Sequence, residues 1–481
     1  MDLSLSTQAT DWMEVRGGVL YSNTKFTRPF YFSSETYDPW YYLLRWPKTY
    51  PYGTYDGHPF RSAVTEVQQA KMNEENTSLT RLNLGTTITP IEGLSIVANY
   101  TFDSQNYHDH QTGGVVSAYN FWSTGANLQY APYTSASYNR VQYASSWSNR
   151  NVGKAFATYE KMLGDHSLKV MVGGDIEAYE YWYHSSQRRD LMDLDRGELD
   201  LASGDQFVDG ARNQWSTAGG FSRINYNYKG KYFLELNGRY DGSSRLSPTE
   251  RWAFFPSMSA GYVVSEESFF EPVTNVMSFL KLRASWGAIG NQNAYLSDIY
   301  RIMNSYSSGW LLGANNQLTF GTPGALPSSL TWETVTTLDL GFDARFFKDK
   351  FGIAFDWYNR TTSDMHSAGE VLPASYGTSA TKQNFGELET KGWELALDYN
   401  HGFSNGLNLN ATVVLSDYRE TVTEFADNKS IYSNRPGRVI GDIWGYETDR
   451  LFTENDFVKD SNGEFVLDNG KYVMNEGIPS Q

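Results

Sequence analysis

The chain has 481 residues, enough for two or three ordinary soluble domains or for one large closed sheet. Apolar residues make up 40% and charged residues 20%, which excludes a disordered chain, and no run reaches the roughly 18 to 20 apolar residues of a spanning helix. The net charge of −16 argues against nucleic acid as a partner, and the absence of cysteine removes disulfides, thiol nucleophiles and thiolate metal sites. Aromatic residues stand out at 16%, led by 34 tyrosines, which suits surfaces that are half wet and half apolar.

Along the chain the dominant signal is two-residue alternation, the mark of strands with one apolar and one polar face. Met1–Gln8 has no basic or apolar leader segment, so no signal peptide is visible there. The first strand is predicted over 11–22, and Ser62–Asn76 is the one stretch with a helical reading. Strands follow over 77–89 and 93–106, where Leu94, Ile96, Ala98, Tyr100 and Phe102 alternate with Ser95, Val97, Asn99, Thr101 and Asp103. The next are 151–162, 167–184, 214–228, 231–245, 251–264 and 277–287. The series closes with 333–347, 350–364, 388–401 and 406–424. That makes thirteen, many of ten residues or more against a soluble-protein mode of about five or six.

Connections alternate in length. Short turns sit at Pro90–Gly93, Gly164–His166, Lys229–Lys231, Lys348–Lys350 and Gly402–Gly406, with mostly long stretches between them; Ser265–Val276 is longer than a tight turn and 246–250 shorter than its siblings. A meander of long strands with its large loops at one end describes an antiparallel transmembrane β-barrel wall, with short periplasmic turns and long extracellular loops. Tyr and Trp near strand ends, such as Tyr181-Trp182-Tyr183, then belong to interfacial girdles. The alternative is a soluble all-β protein whose apolar faces meet a second sheet. No linker, charge block or composition shift divides the chain, so residues 1–481 are read as one domain.

Nothing in the sequence specifies catalysis: there is no nucleophile elbow, P-loop or dinucleotide fingerprint, so no catalytic, cofactor or metal residue is assigned. His108 and His110 flank Asp109 at a strand end, but Asp109 points to the opposite face, and a solvated loop fits better than a metal site. The acidic stretch from Asp190 to Asp205 reads as an exposed charged loop, with calcium as the alternative. Asp460-Ser461-Asn462-Gly463 fails as a calcium loop and reads as a turn between two short strands. The long loops carry aromatics at Trp40-Tyr41-Tyr42, Tyr119, Phe121, Trp122, Tyr306 and Trp310. They pack the loops against one another, or, at Tyr119, Trp122, Tyr306 and Trp310, contact substrate or a lid.

A set of short motifs in one order carries a family resemblance. Arg239-Tyr240-Asp241-Gly242-Ser243-Ser244-Arg245 is followed by Arg251-Trp252-Ala253-Phe254-Phe255-Pro256-Ser257 and Glu266-Glu267-Ser268-Phe269-Phe270. Next come Leu280-Lys281-Leu282-Arg283-Ala284-Ser285-Trp286-Gly287, Leu330-Thr331-Trp332-Glu333, Tyr358-Asn359-Arg360-Thr361-Thr362, Asn384-Phe385-Gly386 and Lys391-Gly392-Trp393-Glu394-Leu395. Gly441-Asp442-Ile443-Trp444-Gly445-Tyr446 ends the series. Over 230–446 the chain resembles the SusC-type, RagA-like TonB-dependent transporters of the outer membrane. The resemblance implies a barrel of about 22 strands around an N-terminal plug. It also implies a SusD-like surface lipoprotein as lid, coupling to the TonB complex through an N-terminal region, and import of oligosaccharide or peptide. On that architecture the chain is an internal barrel segment without the plug and the last strands. Strand parity points Arg239, Asp241, Arg283 and Glu394 to the lumen or plug.

Overall fold

In the computed structural model the described residues are 1–29, 53–60, 62–114, 117–119, 130–132, 139–292, 305–313, 315–320, 330–368, 373, 375, 381–425, 433–445, 447–448, 450–468 and 470–478. One antiparallel sheet of fourteen strands dominates, each strand paired with its neighbours in sequence order. In chain order the first seven are β1 (Asp2–Thr10), β2 (Met13–Pro29), β3 (Met72–Ile91), β4 (Leu94–Thr112), β5 (Arg140–Leu163), β6 (His166–Arg189) and β7 (Gln206–Tyr228). They continue as β8 (Tyr232–Ser243), β9 (Trp252–Val263), β10 (Met277–Asn291), β11 (Glu333–Phe346), β12 (Phe351–Ser363), β13 (Glu387–Gly402) and β14 (Asn408–Glu424). Among the described residues β1 and β14 are the two edges and do not pair with each other, so the sheet stays open.

Thirteen expected strands become fourteen. The added one is β1, where Leu3, Leu5 and Ala9 alternate with Asp2, Ser4, Ser6 and Gln8 and only Thr7 interrupts the apolar set; it pairs over Asp2–Thr10 with Leu20–Met13 of β2. Several strands also run further than their apolar pattern. β5 starts at Arg140 instead of 151 because Arg140–Asn149 pair with β6 throughout. The helical reading holds only for Ala63–Gln69, which Ser62 caps by accepting the Thr65 amide at 3.2 Å. From Met72 the chain joins β3, since Met72–Asn76 pair with Lys25–Pro29 of β2.

The tight turns at 11–12, 92–93, 164–165, 229–231, 347–350 and 403–407 fall at one end of the sheet, together with the longer 264–276 reversal. Gly93, Gly164, Gly230 and Gly406 take positive φ there, as do the consecutive Phe347, Lys348 and Asp349. At Gly93 the glycine is also sterically required, because a Cβ would collide with the Glu160 carbonyl. The longer connections, following β2, β4, β6, β10 and β12, leave from the strand ends opposite these turns, as does the eight-residue 244–251 connection.

The two faces differ as the alternation requires. One carries Leu84, Val172, Ile176, Phe254, Leu340, Val413 and Leu415 at 44–64% exposure. The additional sheets among the described residues are two-stranded, so no second sheet covers this apolar face. A soluble sandwich would bury it. Instead Tyr228, Tyr232 and Tyr262 stack at the short-turn end, with centroids 6.2 and 5.0 Å apart, and Tyr240 stacks on Trp252 at 5.3 Å towards the large-loop end. The nine residues from Tyr232 to Tyr240 match the roughly nine to eleven tilted residues that cross a bilayer core.

Candidate functional site: the polar wall and its loop collar

The opposite face of the same strands is charged, and its ion pairs follow a common geometry. Arg239 on β8 donates to Asp241 at 2.8 and 2.9 Å and reaches Asp175 on β6 at 3.0 Å. Between them on β7 stands Gly219, paired with both Asp241 and Asp175, and a Cβ there would overlap the Asp241 carboxylate. Arg283 on β10 holds Asp343 of β11 at 2.8 and 3.1 Å and Asp356 of β12 at 2.7 and 3.0 Å. Gly341 separates Arg283 from Asp356, and a Cβ there would overlap Asp356. Arg345 reaches Asp398 at 3.2 Å across Gly352 in the same way. A glycine in the middle strand opens the row so that a guanidinium spans three strands.

Of the residues singled out by parity, Arg239, Asp241, Arg283 and Glu394 do share one face. Arg239 with Asp241 and Arg283 with Asp356 form two clusters, and Glu394 sits directly opposite Asp356 on β13. Among the described residues Glu394 has no ion-pair partner. Sequence reasoning missed Asp175, Asp343, Asp356, Arg345 and Asp398; their signal is cross-strand register, which alternation within one strand does not carry. Around the first cluster a depression of about 430 Å³ is lined by Lys154, Met171, Phe221, Arg223, Asn237 and Phe255, with Lys154 and Arg239 each 5.3 Å from the Phe221 ring.

At the large-loop end the motif segments fold against one another. Leu246, Leu330 and Trp332 pack on Phe255 of β9, the Trp332 and Phe255 rings meeting edge-on at 5.4 Å. Trp332 Nε1 donates to the Arg251 carbonyl at 2.9 Å. Thr331 accepts from Asn384 at 3.0 Å and contacts His366 Nε2 at 2.7 Å, while the His366 amide donates to Glu333 at 2.7 Å. This collar ties the 244–251, 330–333, 364–367 and 382–386 segments into one unit.

The loop aromatics are dispersed. Tyr119 is buried at 8% exposure, 6.2 Å from His58 and 5.8 Å from Phe60, in a small loop core. Tyr306 and Trp310 lie on one strand of the hairpin formed by Ser305–Leu312 and Asn315–Phe320. Trp122, like Trp40, Tyr41, Tyr42 and Phe121, lies outside the described residues.

Three acids of the 190–205 connection are engaged separately. Asp195 pairs with Lys71 at 2.7 Å, Glu198 accepts from Tyr143 at 2.7 Å, and Asp193 accepts the Asp195 amide. Among the described residues no three His, Cys, Asp or Glu side chains are grouped to hold a metal. His110 stacks on Tyr143 at 4.4 Å and meets the Gly197 carbonyl at 2.8 Å, as a loop support. Asp460 accepts the amides of Asn462 and Glu464, closing the expected turn with Gly463 at φ 83°.

A sheet with one exposed apolar face, aromatic belts and one charged face is the wall of an outer-membrane β-barrel. The chain belongs to the TonB dependent receptor-like, beta-barrel family, whose profile matches residues 16–473. It is 28% identical over 348 residues to the TonB-dependent receptor SusC of Bacteroides thetaiotaomicron, covering 66% of this chain and 34% of that protein. To a TonB-dependent receptor of Formosa agariphila it is 30% identical over 316 residues, 63% of this chain and 30% of that protein. The fold is also that of the RagAB peptide importer in its closed-closed state, with TM-score 0.72, 18% identity, and coverage of 98% of this chain and 53% of that one. The ferric citrate transporter FecA superposes with TM-score 0.51 at 11% identity, over 88% of this chain and 51% of its own. The chain thus spans about a third of the curated relatives and about half of these solved chains.

Proposed function

We propose that this chain forms part of the wall of a TonB-dependent importer that brings nutrients across the outer membrane. The observation that carries the reading is the division of the same strands into an exposed apolar face and a face of three-strand ion pairs. A lipid-facing wall needs the first, and a polar lumen needs the second. No catalysis is involved; cargo moves through the lumen when the domain filling it is displaced. The cargo class is oligosaccharide or peptide, the partner at the mouth a SusD-like lipoprotein, and energy arrives through the TonB complex. SusC of Bacteroides thetaiotaomicron and the RagAB peptide importer support these assignments by likeness. Arg239, Asp241, Arg283 and Glu394 contact the lumen-filling domain, and the hairpin carrying Tyr306 and Trp310 meets cargo or lid.

The test is uptake in cells. Deleting the gene should abolish accumulation of a labelled oligosaccharide or peptide, and complementation with the intact gene should restore it only when TonB is present. Accumulation of every such substrate at the wild-type rate in the deletion strain would refute the reading.

A further inference from the structure

At the large-loop ends of β3 and β4, the charged face holds three buried oxygen acceptors with nothing to accept. Asn73 is 1% exposed, Asp109 5% and Gln111 8%. Asn73 stands directly opposite Gln111, since Glu74 pairs with His110, and Glu75 stands opposite Asp109. All four side chains therefore project from one face, on two adjacent strands. Gln111 Nε2 donates to Asp109 Oδ2 at 2.7 Å, which draws those two side chains together. Yet Asp109 Oδ1, Gln111 Oε1 and Asn73 Oδ1 are buried with no hydrogen-bond donor.

A buried acceptor without a donor costs about 1–3 kcal/mol, more when charged. Each such acceptor calls for a partner, an ordered water or a cation. The neighbouring cations do not answer them. Arg28 is committed to Glu75 at 2.5 Å, and Arg140, which borders the cluster on β5, has an interaction of its own. Arg28 is bonded to Glu75, and among the described residues Asp109 has no ion pair of its own. Asp109 lies fifteen positions beyond Leu94, where β4 leaves the short turn, and so stands clear of the bilayer core.

A carboxylate oxygen and two amide oxygens, with Glu75 beside them, form a donor set that suits a hard divalent cation. We propose that Asn73, Asp109 and Gln111 bind calcium, fastening the ends of β3 and β4 beneath the loops that rise from them. With one unshared carboxylate the affinity belongs to the weak range of extracellular calcium modules, about 10⁻⁴ to 10⁻³ M. This site is separate from the Arg239 and Arg283 clusters and does not depend on what the barrel carries.

The experiment uses the intact protein containing this chain, purified in detergent and stripped with a chelator. Calcium should slow protease cleavage in the 113–139 connection, with half-saturation in the stated range. D109N should raise that half-saturation about tenfold or abolish the response. Terbium supplies a second readout that does not rely on loop stability. Its emission should be sensitised by Tyr107, two positions from Asp109 on the same face, displaced by calcium, and strongly reduced in Y107F at unchanged terbium affinity. A calcium response of wild-type size in D109N would overturn the proposal. So would no calcium effect on cleavage together with terbium emission indifferent to Y107F, which would leave these oxygens to ordered water.

Discussion

Arg283 and Asp356 lie on β10 and β12, two strands apart, yet bond at 2.7 and 3.0 Å because Gly341 leaves the position between them empty. The same gap recurs at Gly219 and Gly352. Adjacent strands are about 4.8 Å apart, so a guanidinium on a long stem covers two spacings only when no side chain stands in the row. Glycine weakens a strand by removing packing and adding chain entropy. Here that cost is offset by charge-assisted bonds that stitch three strands.

Gly341→Ala should therefore separate Arg283 from Asp356 and lower barrel stability by about 1–3 kcal/mol, the range for overpacking. Gly220 lies on the apolar face, where a Cβ would meet nothing within 4 Å, and Gly220→Ala should stay within about 0.5 kcal/mol. Unfolding of both variants in lipid, followed by heat-modified gel mobility, measures the contrast. Equal losses would mean that Gly341 has no special role.

Val413 is 51% exposed and pairs with Leu397 on the apolar face, while Thr412 Oγ1 donates to Asp398 at 3.3 Å on the charged face. Val413→Arg should cost about 2–4 kcal/mol in a bilayer. Thr412→Arg should cost clearly less, and Val413→Ala should cost little, since acyl chains fill the space. Similar penalties for the two arginines would contradict the assigned faces.

Trp332 is 6% exposed at the centre of the loop collar. Trp332→Ala should destabilise the collar by about 3–5 kcal/mol and open the 244–251 connection to protease. Trp332→Phe keeps the ring against Phe255 and loses the bond to the Arg251 carbonyl, for about 0.5–1.5 kcal/mol. Cleavage rates at fixed protease concentration rank the three proteins.

Asp456 lies in the segment after β14, where Arg450 binds it at 2.6 Å through both nitrogens and the Thr453 amide donates to it at 2.6 Å. The Arg450 bonds, then the Thr453 amide, hold its carboxyl far below the usual carboxylate range. A depressed folded value means that its stabilisation is complete above the unfolded carboxylate pKa near 4 and is lost as pH falls through the folded value. Hydrogen exchange at Phe457 and Asn475 should be slow at pH 7 and accelerate, relative to intrinsic rates, in strong acid. Asp456→Asn should remove that pH dependence; if it persists, another group controls the segment.

The chain's own alternation determined that it is a wall of long antiparallel strands with one face for lipid, where the tight turns fall, and that Arg239, Asp241, Arg283 and Glu394 share the other face. These properties are local: the two-residue period of a strand assigns each side chain to a face without reference to any partner. β1 shows the limit, since an apolar set of only Leu3, Leu5 and Ala9 is too short to stand out until its pairing with β2 is known. Only the tertiary structure decided which charges meet. Arg283 finds Asp356 through a register set across three strands, Tyr119 closes on His58 and Phe60, and Asn73 comes to stand opposite Gln111. Partners such as Arg283 and Asp356, 73 positions apart, leave no periodic trace in sequence, because their proximity follows from the summed lengths of every turn and strand between them.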